Sequence, residues 1–219
     1  MTGSSRPPRR TQAEKSAAMR LKLCEATLSA LAEVGYEKTT TQEICARAGV
    51  SRGALTHQFP TRVAALAAAF EHLVEEWERE RREHVASLPE GQPISFEAYT
   101  RHLWRVVFAS PNYVAALELM MAARMDEELG AELRKVLEDW RSVRDYLSLQ
   151  LLGRENEAED PKVLTFLHLN LCMLRGIAIH GSFDASAEER ERLLDAWLSF
   201  LQSRSDDMPG YHPETLTPR

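Results

Sequence analysis

The sequence predicts an all-α protein, because apolar residues recur every three or four positions along nearly the whole chain. No stretch sustains the two-residue alternation typical of a half-buried strand. Of the 219 residues, 44% are hydrophobic, and only 10 are glycine and 10 are proline. The chain can therefore fill a core, and we expect about nine helices separated by short loops.

The N-terminal part predicts a leader and a first helix. Residues 1–11 are basic but are followed by no apolar run, so they are not a secretion signal, and we expect a flexible leader. In the helix that follows, apolar residues recur at three- and four-residue steps, and Gly35 stands where a helix-ending glycine would. The recurring residues are Leu21, Cys24, Leu28 and Leu31.

Two short helices joined by a glycine turn come next. Thr40 and Glu43 match the S/T-x-x-E capping box, in which the hydroxyl caps the helix and the carboxylate reaches back. Gly49 fits a left-handed backbone position, and Ser51 is a preferred N-cap for a second helix that begins at Arg52. This pattern indicates a helix-turn-helix, whose second helix lies in the major groove of DNA. Any helical hairpin can use the same elements, so the local pattern leaves DNA binding open.

The rest of the chain predicts a further series of helices, separated by proline- and glycine-containing breaks. The tail, residues 204–219, carries three prolines, and we expect it to be flexible. The predicted helices lie at 61–84, from Phe96, Val114 and Leu133 onward, and at 161–180 and 187–203, with a polar loop at 153–161.

Charge is unevenly distributed along the chain. Residues 1–62 carry 10 Lys or Arg and 5 Asp or Glu, whereas residues 63–219 carry 17 and 28, giving net charges of +5 and −11. A polyanionic partner would therefore meet the basic N-terminal part of an otherwise acidic protein. Chance clustering of the basic residues is the alternative.

The cysteines indicate a reducing compartment. Cys24, Cys45 and Cys172 are odd in number, far apart and without CxxC spacing, which favours small core residues in a cytoplasmic protein. His168 lies four positions before Cys172, but no acidic residue or second histidine stands at helical spacing beside this pair. We predict no metal and no cofactor.

The longest apolar segment is Val163–Ile179, which has 17 residues and contains His168, Asn170 and Arg175. These polar residues favour a buried helix over a membrane span, and they can face a ligand, a second subunit or a hydrogen-bond partner in the core. The sequence has no nucleophile elbow, no phosphate-binding glycine loop, no HExxH motif and no convincing carboxylate pair. We therefore do not expect an enzyme.

One segment resembles a known family. Residues 35–66, GYEKTTTQEICARAGVSRGALTHQFPTRVAAL, are similar to the N-terminal domain of the TetR/AcrR family of bacterial transcription regulators. The family pattern is roughly G-Y-x-x-T-T-x-x-x-I-A-x-x-A-G-V-S-x-G-x-L-Y-x-H-F-x-x-K. The matching residues are Gly35, Tyr36, Thr39, Thr40, Ile44, Ala48, Gly49, Val50, Ser51, Gly53, Leu55 and Phe59.

The resemblance implies two domains. Residues 12–60 would form a helix-turn-helix DNA-binding domain, and residues 61–203 an effector-binding and dimerisation domain. It further implies a homodimer that binds a palindromic double-stranded operator, usually as a repressor, and is released by a mostly apolar small molecule. Residues 6–10, RPPRR, would be a flexible leader or a basic arm for the minor groove.

The sequence departs from the family pattern at three positions, in the second helix of the helix-turn-helix and at the start of the fourth helix. Thr56 replaces a phosphate-binding tyrosine, Gln58 replaces histidine or tyrosine, and Arg62 replaces lysine. We expect Arg52 to contact base edges and the guanidinium of Arg62 to face a phosphate. The predicted DNA contacts are Thr40, Thr41, Ser51, Arg52, Gly53, Thr56, His57 and Arg62.

The C-terminal helices predict a ligand pocket and a dimer interface, although ordinary core packing explains many of the same residues. The helices at 161–180 and 187–203 are broadly apolar, so we expect them to form a four-helix bundle with a second subunit; burial within their own chain is the alternative. The pocket candidates are His102, Trp104, Tyr113, Met120, Phe166, His168, Asn170 and Met173. The interface candidates are Leu167, Leu174, Leu194, Trp197, Leu198 and Leu201.

A ligand-responsive transcription regulator without a membrane partner is the leading hypothesis. The alternative is a helical adaptor or interaction protein whose helix-turn-helix does not bind DNA. Salt-dependent binding to a palindromic DNA fragment would distinguish the two.

Overall fold

The computed structural model describes residues 11–89, 92–184 and 186–203, and within these ranges it contains helices and no strand. The predicted all-α fold is confirmed for this part of the chain. A π-helical turn, Trp104–Phe108, continues the fifth helix, and a 3₁₀ turn, Glu155–Glu157, lies before the eighth. The α-helices are α1 (Gln12–Lys38), α2 (Thr41–Ala48), α3 (Arg52–Gln58), α4 (Arg62–Ser87), α5 (Phe96–Leu103), α6 (Pro111–Ala122), α7 (Glu127–Leu151), α8 (Pro161–Gly181) and α9 (Ala187–Ser203).

Hydroxyl side chains cap the starts of several helices. Thr11 and Glu14 form a complete capping box at α1, so Thr11 belongs to the first helix and not to the leader. The other leader residues, 1–10, and the tail, 204–219, lie outside the described residues. At α2 the expected capping box is only half formed: the Thr40 hydroxyl accepts from the Glu43 amide, but the Glu43 carboxylate accepts from Arg47 at 2.6 Å instead of reaching back.

Gly35 ends the regular part of α1, as predicted. Its φ of 77° is a left-handed conformation that favours glycine, and three further residues form the last turn of the helix. A Cβ at this position would also lie 3.3 Å from Oε2 of Glu118. The kink places the Tyr36 amide against Glu118 of α6, and the carbonyls of Tyr36 and Thr39 against Arg62 at the start of α4.

A continuous core runs through both ends of the molecule. α1 packs along α4 and α6, α4 packs along α7, and α8 packs against α9. The helix-turn-helix packs on α1 through the buried side chains of Ile44 and Leu55. α1 and α4 therefore contribute to the core of both ends.

Asn170 explains one polar interruption of α8. It is completely buried, its amide nitrogen donates to Oγ1 of Thr100 at 3.1 Å, and its amide oxygen accepts from the Trp197 indole at 2.8 Å. Of the three roles considered for this residue, the structure shows the core hydrogen bond. By length and composition alone α8 is apolar enough to cross a membrane, but much of it is buried against its own chain.

Candidate DNA-binding and ligand-binding sites

The turn between α2 and α3 has the geometry that the sequence predicts. Gly49 lies at φ 59° and ψ 41°, in the left-handed region, and its amide donates to the Ala46 carbonyl at 3.2 Å. The Val50 amide donates to the Cys45 carbonyl at 3.0 Å, which completes the C-terminal cap of α2. Ser51 then caps α3 by accepting from the Ala54 amide at 3.2 Å.

α3 presents a polar surface to solvent. Leu55 is the residue that buries the helix against the core, whereas Arg52, Gly53, Thr56 and His57 are exposed. Gly53 adds no side chain to this surface, so a base edge can approach the backbone there. A helix of this shape, carried on a helix-turn-helix, presents its exposed face to the major groove.

The hydroxyl groups of this surface differ in what they can still donate. Thr40 and Ser51 use their oxygens as acceptors in helix caps, which leaves each hydroxyl hydrogen free to donate to a phosphate. Thr56 instead donates its hydroxyl hydrogen to the carbonyls of Arg52 and Gly53, at 3.0 and 3.2 Å. Thr56 must therefore give up a hydrogen bond within α3 before it can donate to DNA. Thr41, half-buried at the start of α2, lies beside the Thr40 cap.

The arginines of the N-terminal part fall into two groups. Arg47 pairs with Glu43 at 2.6 Å and with Glu33 at 2.8 Å, so its charge is already neutralised. Arg52 is exposed, and within the described residues no carboxylate lies at ion-pair distance from it. Arg52 therefore has the free guanidinium that contact with DNA requires.

Arg62 differs from the expectation that its guanidinium faces a phosphate. Its Nε donates to the Thr39 carbonyl at 2.8 Å, a second guanidinium nitrogen donates to the Tyr36 carbonyl, and the group lies 4.3 Å from the centre of the Tyr36 ring. The kinked end of α1 presents these acceptors, so Arg62 fastens the start of α4 to the end of α1. In this conformation the Arg62 guanidinium contacts the end of α1, and its contact with a phosphate stays a prediction.

The far end of α3 is held to α1. The Gln58 amide nitrogen donates to Oγ of Ser16 at 3.1 Å, and the guanidinium of Arg20 lies 4.8 Å from the centre of the buried Phe59 ring. Gln58, which replaces a histidine or tyrosine of the family pattern, therefore has a structural contact here. The orientation of α3 follows that of α1.

An apolar cavity with an inner and an outer part lies between α4, α6, α7 and α8. The inner part is nearly closed, with a volume of about 20 Å³, and five aromatic rings stand among its described lining residues. The rings are Phe70, Trp77, Phe108, Tyr113 and Trp140. Arg81, Arg144 and Arg175 also line the inner part, whose described lining contains no acidic residue.

The outer part is an open cleft of about 330 Å³. It adds His168 and Cys172 to the lining, and His168 contacts both Asp145 and Arg144, at 3.1 and 3.0 Å. The two parts adjoin, because six residues line both. The shared residues are Met120, Leu137, Trp140, Arg144, Leu171 and Arg175.

The helix-turn-helix segment and nearly the full chain match known transcription regulators. The family described as bacterial regulatory proteins, tetR family, matches residues 23–69. The HTH-type transcriptional regulator CymR of Pseudomonas putida is 31% identical over 200 residues, which cover 90% of this chain and 96% of CymR. This chain belongs to the TetR family.

Solved structures of TetR-family regulators and related proteins share the fold. FadR of Bacillus subtilis, in complex with stearoyl-CoA, superposes with a TM-score of 0.62 at 16% identity, covering 88% of this chain and 99% of FadR. A transcription regulator of Saccharomonospora viridis, in complex with choline, has a TM-score of 0.62 at 12% identity, covering 85% of this chain and 96% of its own. The chain is therefore a DNA-binding transcription regulator of a family whose members bind small molecules.

The cavity of this TetR-family protein includes Tyr113, Met120 and His168 among the predicted pocket residues. The remaining pocket candidates lie elsewhere. His102 is buried and stacks on His84 with ring centres 4.0 Å apart, and the Trp104 indole donates to Glu191 at 2.7 Å.

Three further pocket candidates lie outside this cavity, because an apolar helical stripe does not reveal which neighbouring helix it contacts. Phe166 packs on Phe96 with ring centres 4.8 Å apart, Asn170 lies in the core, and Met173 is 40% exposed on the outer face of α8.

Arg81 is a cavity-lining residue that sequence reasoning missed. It lies in the charged run EEWERERREH, yet only 1% of it is exposed. The signal was its spacing: Phe70, Leu73, Trp77 and Arg81 continue one stripe at steps of three and four, so the arginine falls on the buried face of α4.

The predicted dimer interface lies on the wrong face of this TetR-family fold. Leu167, Leu174, Leu194, Leu198 and Leu201 are at most 3% exposed within the single chain, and so belong to its own core. Trp197 is partly buried and donates its indole hydrogen to Asn170. The opposite faces of α8 and α9 are apolar and exposed. Their exposed residues are Leu169, Met173, Ile179, Leu193 and Phe200, with Phe183 just beyond α8.

Among the described residues, no group of three His, Cys, Asp or Glu side chains is placed to hold a metal ion. Cys24 and Cys45 are buried core residues, as expected, whereas Cys172 is exposed at the outer cleft. Burial raises the pKa of the Cys24 thiol to about 11, so this thiol is protonated at neutral pH.

Proposed function

We propose that this TetR-family protein is a one-component repressor that acts in the cytoplasm, apart from any membrane. A homodimer would bind a palindromic operator through residues 12–60 of each chain, and a mostly apolar small molecule bound between helices of residues 61–203 would release it. The observation that carries the proposal is that one helix serves both sites: α4 begins at the helix-turn-helix and lines the ligand cavity.

The two ends of α4 have distinct contacts. At its start, Arg62 donates to carbonyls at the end of α1, which carries α2 and α3. About two, four and five turns further on, Phe70, Trp77 and Arg81 line the inner cavity. A molecule that enlarges this cavity must displace α4 or its neighbours, because the space is nearly closed without it.

A second connection runs through α6 and α7. Tyr113 and Met120 of α6 line the cavity, and Glu118 of the same helix accepts from the Tyr36 amide at 2.8 Å. Asp126, at the start of α7, accepts from the Tyr36 hydroxyl at 2.9 Å. The effector changes DNA affinity to the extent that it binds more tightly to one arrangement of these helices than to the other.

The exposed apolar faces of α8 and α9 support dimer formation. Leu169 and Met173 of α8, and Leu193 and Phe200 of α9, are between 39% and 57% exposed. Two such faces would bury each other in a four-helix bundle that uses the same patch of both subunits. Two recognition helices about 34–36 Å apart can then contact successive major grooves.

Selection of bound sequences from random DNA tests the proposal without knowledge of the operator. We expect a palindromic sequence, bound by two chains with an affinity that falls steeply as salt rises. If the protein were instead a helical adaptor that does not bind DNA, the selection would enrich no sequence. A monomer bound to a single half-site would contradict the homodimer, and absence of any enrichment would contradict the proposed function.

A further inference from the structure

The inner cavity is lined by hydrogen-bond donors that lack partners. Nε and Nη2 of Arg81, the indole nitrogen of Trp140 and Nε of Arg175 are buried, and none has a hydrogen-bond partner among the described residues. These side chains all line the same inner space. Arginine and tryptophan can only donate, so the space is deficient in acceptors.

Arg81 is the most unusual of these residues. The side chain is 1% exposed, and its guanidinium contacts the ring of Trp140 at 5.5 Å but forms no ion pair within the described part of the chain. Burial lowers its pKa to about 10, so the group stays charged at neutral pH. A buried charge without a counter-ion is strongly unfavourable, so the buried guanidinium of Arg81 lowers the stability of the folded protein.

A second arginine of the same cavity, Arg144, has its charge neutralised by a carboxylate. Arg144, which lines the same space, donates to Asp145 at 2.7 and 2.8 Å and contacts His168. No Asp or Glu stands among the described lining residues of either the inner or the outer part, although the chain from residue 63 onward has a net charge of −11. The missing acceptor is therefore not among the described residues that line the cavity, and a bound molecule can supply it.

The side chains that line the cavity indicate what the uncharged part of the ligand is like. Trp77 stands between Tyr113 and Trp140, with ring centres 6.1 and 6.0 Å away, and leucine, valine and methionine side chains complete the lining. Such walls bind flat or chain-like apolar groups and offer a single region of positive charge.

We infer that the effector is a small organic carboxylate with an apolar aromatic or alkyl body, whose carboxylate is bound by Arg81 at the inner end of the cavity. Tyr113, Trp140 and Arg175 supply further donors, and the body lies toward the outer cleft. This inference rests on the proposed function, because it names the class of molecule that the regulator would detect. Arg81 and Arg175, which both line the inner space, form no ion pair among the described residues, and a carboxylate can accept from two guanidinium nitrogens at once.

Paired ligands test the charge requirement on the unaltered protein. Butanoate, octanoate, benzoate and 4-methylbenzoate are each titrated against their primary amides by calorimetry and thermal unfolding, with octyl phosphate as a dianionic comparison. We expect at least one acid to bind at least tenfold more tightly than its amide and to raise the Tm. If every amide matches its acid, if no acid binds, or if octyl phosphate binds more tightly than the acids, the inference is wrong.

Variants then locate the carboxylate. Arg81→Met keeps the length of the side chain and removes the charge, so the ligand-free variant should unfold roughly 2–4 °C higher, and its Kd for the acid should rise at least tenfold. Arg82→Met is the matched control, because Arg82 is an exposed neighbour paired with Glu78 at 2.7 Å, and it should leave the Kd unchanged. Retention of acid binding by Arg81→Met would overturn the assignment of Arg81.

Failure of this inference can be distinguished from failure of the proposed function. Enrichment of a palindromic sequence is measured without ligand, so a protein that binds its operator but no carboxylate contradicts this inference alone. If the acid binds but the operator complex persists at saturating acid, the acid occupies the cavity without being the effector, and the inference fails on that readout.

Discussion

A hydrogen bond between Tyr36 and Asp126 joins the N-terminal helices to the helices that line the cavity. The hydroxyl of Tyr36 donates to Oδ2 of Asp126 at 2.9 Å, although the two residues are 90 positions apart. The other carboxylate oxygen of Asp126 accepts from the Leu129 amide at 3.0 Å and so caps α7. The first residue of the last turn of α1 is thus fixed to the first turn of α7, at the boundary between the helix-turn-helix and the cavity helices.

We expect Tyr36 and Asp126 to be energetically coupled. Tyr36→Phe removes the hydroxyl, and Asp126→Asn removes the charge while keeping a side chain that can cap α7. A double-mutant cycle in urea should give a coupling free energy of about 1 kcal/mol, the usual size for a hydrogen bond to a carboxylate at a partly exposed site. Strictly additive losses of stability would show that the two groups do not interact in solution.

Arg62→Ala should act on stability and not on phosphate contacts. The substitution leaves the carbonyls of Tyr36 and Thr39 without their donor and removes the contact with the Tyr36 ring, so the free energy of unfolding should fall by roughly 2–3 kcal/mol. Arg79→Ala, an exposed position of the same helix, is the control and should cost less than about 0.5 kcal/mol. A lower salt dependence of DNA binding in Arg62→Ala would indicate a direct phosphate contact after all.

Arg52→Ala should weaken discrimination between operator and random DNA. If the exposed guanidinium binds a guanine edge, the preference for the operator should drop by roughly 1–3 kcal/mol, while binding to random DNA changes little. Arg47→Ala tests the same charge change at a neutralised arginine, and it should leave the preference intact. Fluorescence anisotropy with both kinds of DNA measures the difference. An equal loss on the two would exclude base contact by Arg52.

His102 should make the fold sensitive to acid. Burial, the stacked His84 and the nearby Arg105 and Arg81 lower the pKa of His102 from 6.5 to about 4. Because the unfolded chain binds this proton below pH 6.5 and the folded chain does not, the free energy of unfolding falls as the pH drops from 6.5 toward 4.

The corresponding variant is His102→Phe, which can still stack on His84 and loses no hydrogen bond to the described residues. Its stability should decline less between pH 6.5 and 5 than that of the unaltered protein, by about 1–2 kcal/mol. Urea unfolding at the two pH values measures this decline. Parallel declines would show that His102 does not titrate in this range.

Charges on the exposed face of α8 and α9 should separate association from folding. We expect Leu193→Glu with Phe200→Glu to give a folded monomer, since both positions are more than a third exposed in the single chain. Leu194→Glu, one position away but 1% exposed, should unfold the protein. Light scattering and circular dichroism at 10 µM distinguish the two results. Persistence of a dimer with both charges in place would move the interface to another surface.

Local signals explain why the helix-turn-helix could be predicted from the sequence. The cap at Ser51, the left-handed Gly49 and the buried Leu55 each depend on neighbours within a few positions, and the structure has all three as expected. The contact of Arg62 with the end of α1 could not be predicted, because its acceptors are carbonyls 23 and 26 positions away, exposed by the kink at Gly35. No local sequence pattern encodes a contact over that separation.

The pocket and the dimer interface were hard to predict from the sequence for a different reason. α8 is apolar on several faces, so Leu167 and Leu169 have the same chemistry in the sequence but lie in the core and at the surface, at 2% and 57% exposure. Which face turns inward depends on how α8 meets α5 and α9. Arg81 lay on a correctly predicted helix, and its spacing from Trp77 placed it inside, but a run of charged neighbours obscured that signal.

The π-helical turn after α5 determines which side chains reach the cavity. The Ala109 amide donates to the Trp104 carbonyl at 2.8 Å, a bond that spans five residues instead of four. In an α-helix five residues advance about 500°, so Phe108 would point roughly 140° away from Leu103, whereas here Leu103 and Phe108 both line the inner space. The π-helical turn therefore accommodates one extra residue of chain length: with one residue deleted, Phe108 would follow Leu103 by four positions, about 40° away in a regular α-helix, and would still face the cavity, whereas a change to α-helical geometry without a deletion would turn Phe108 away.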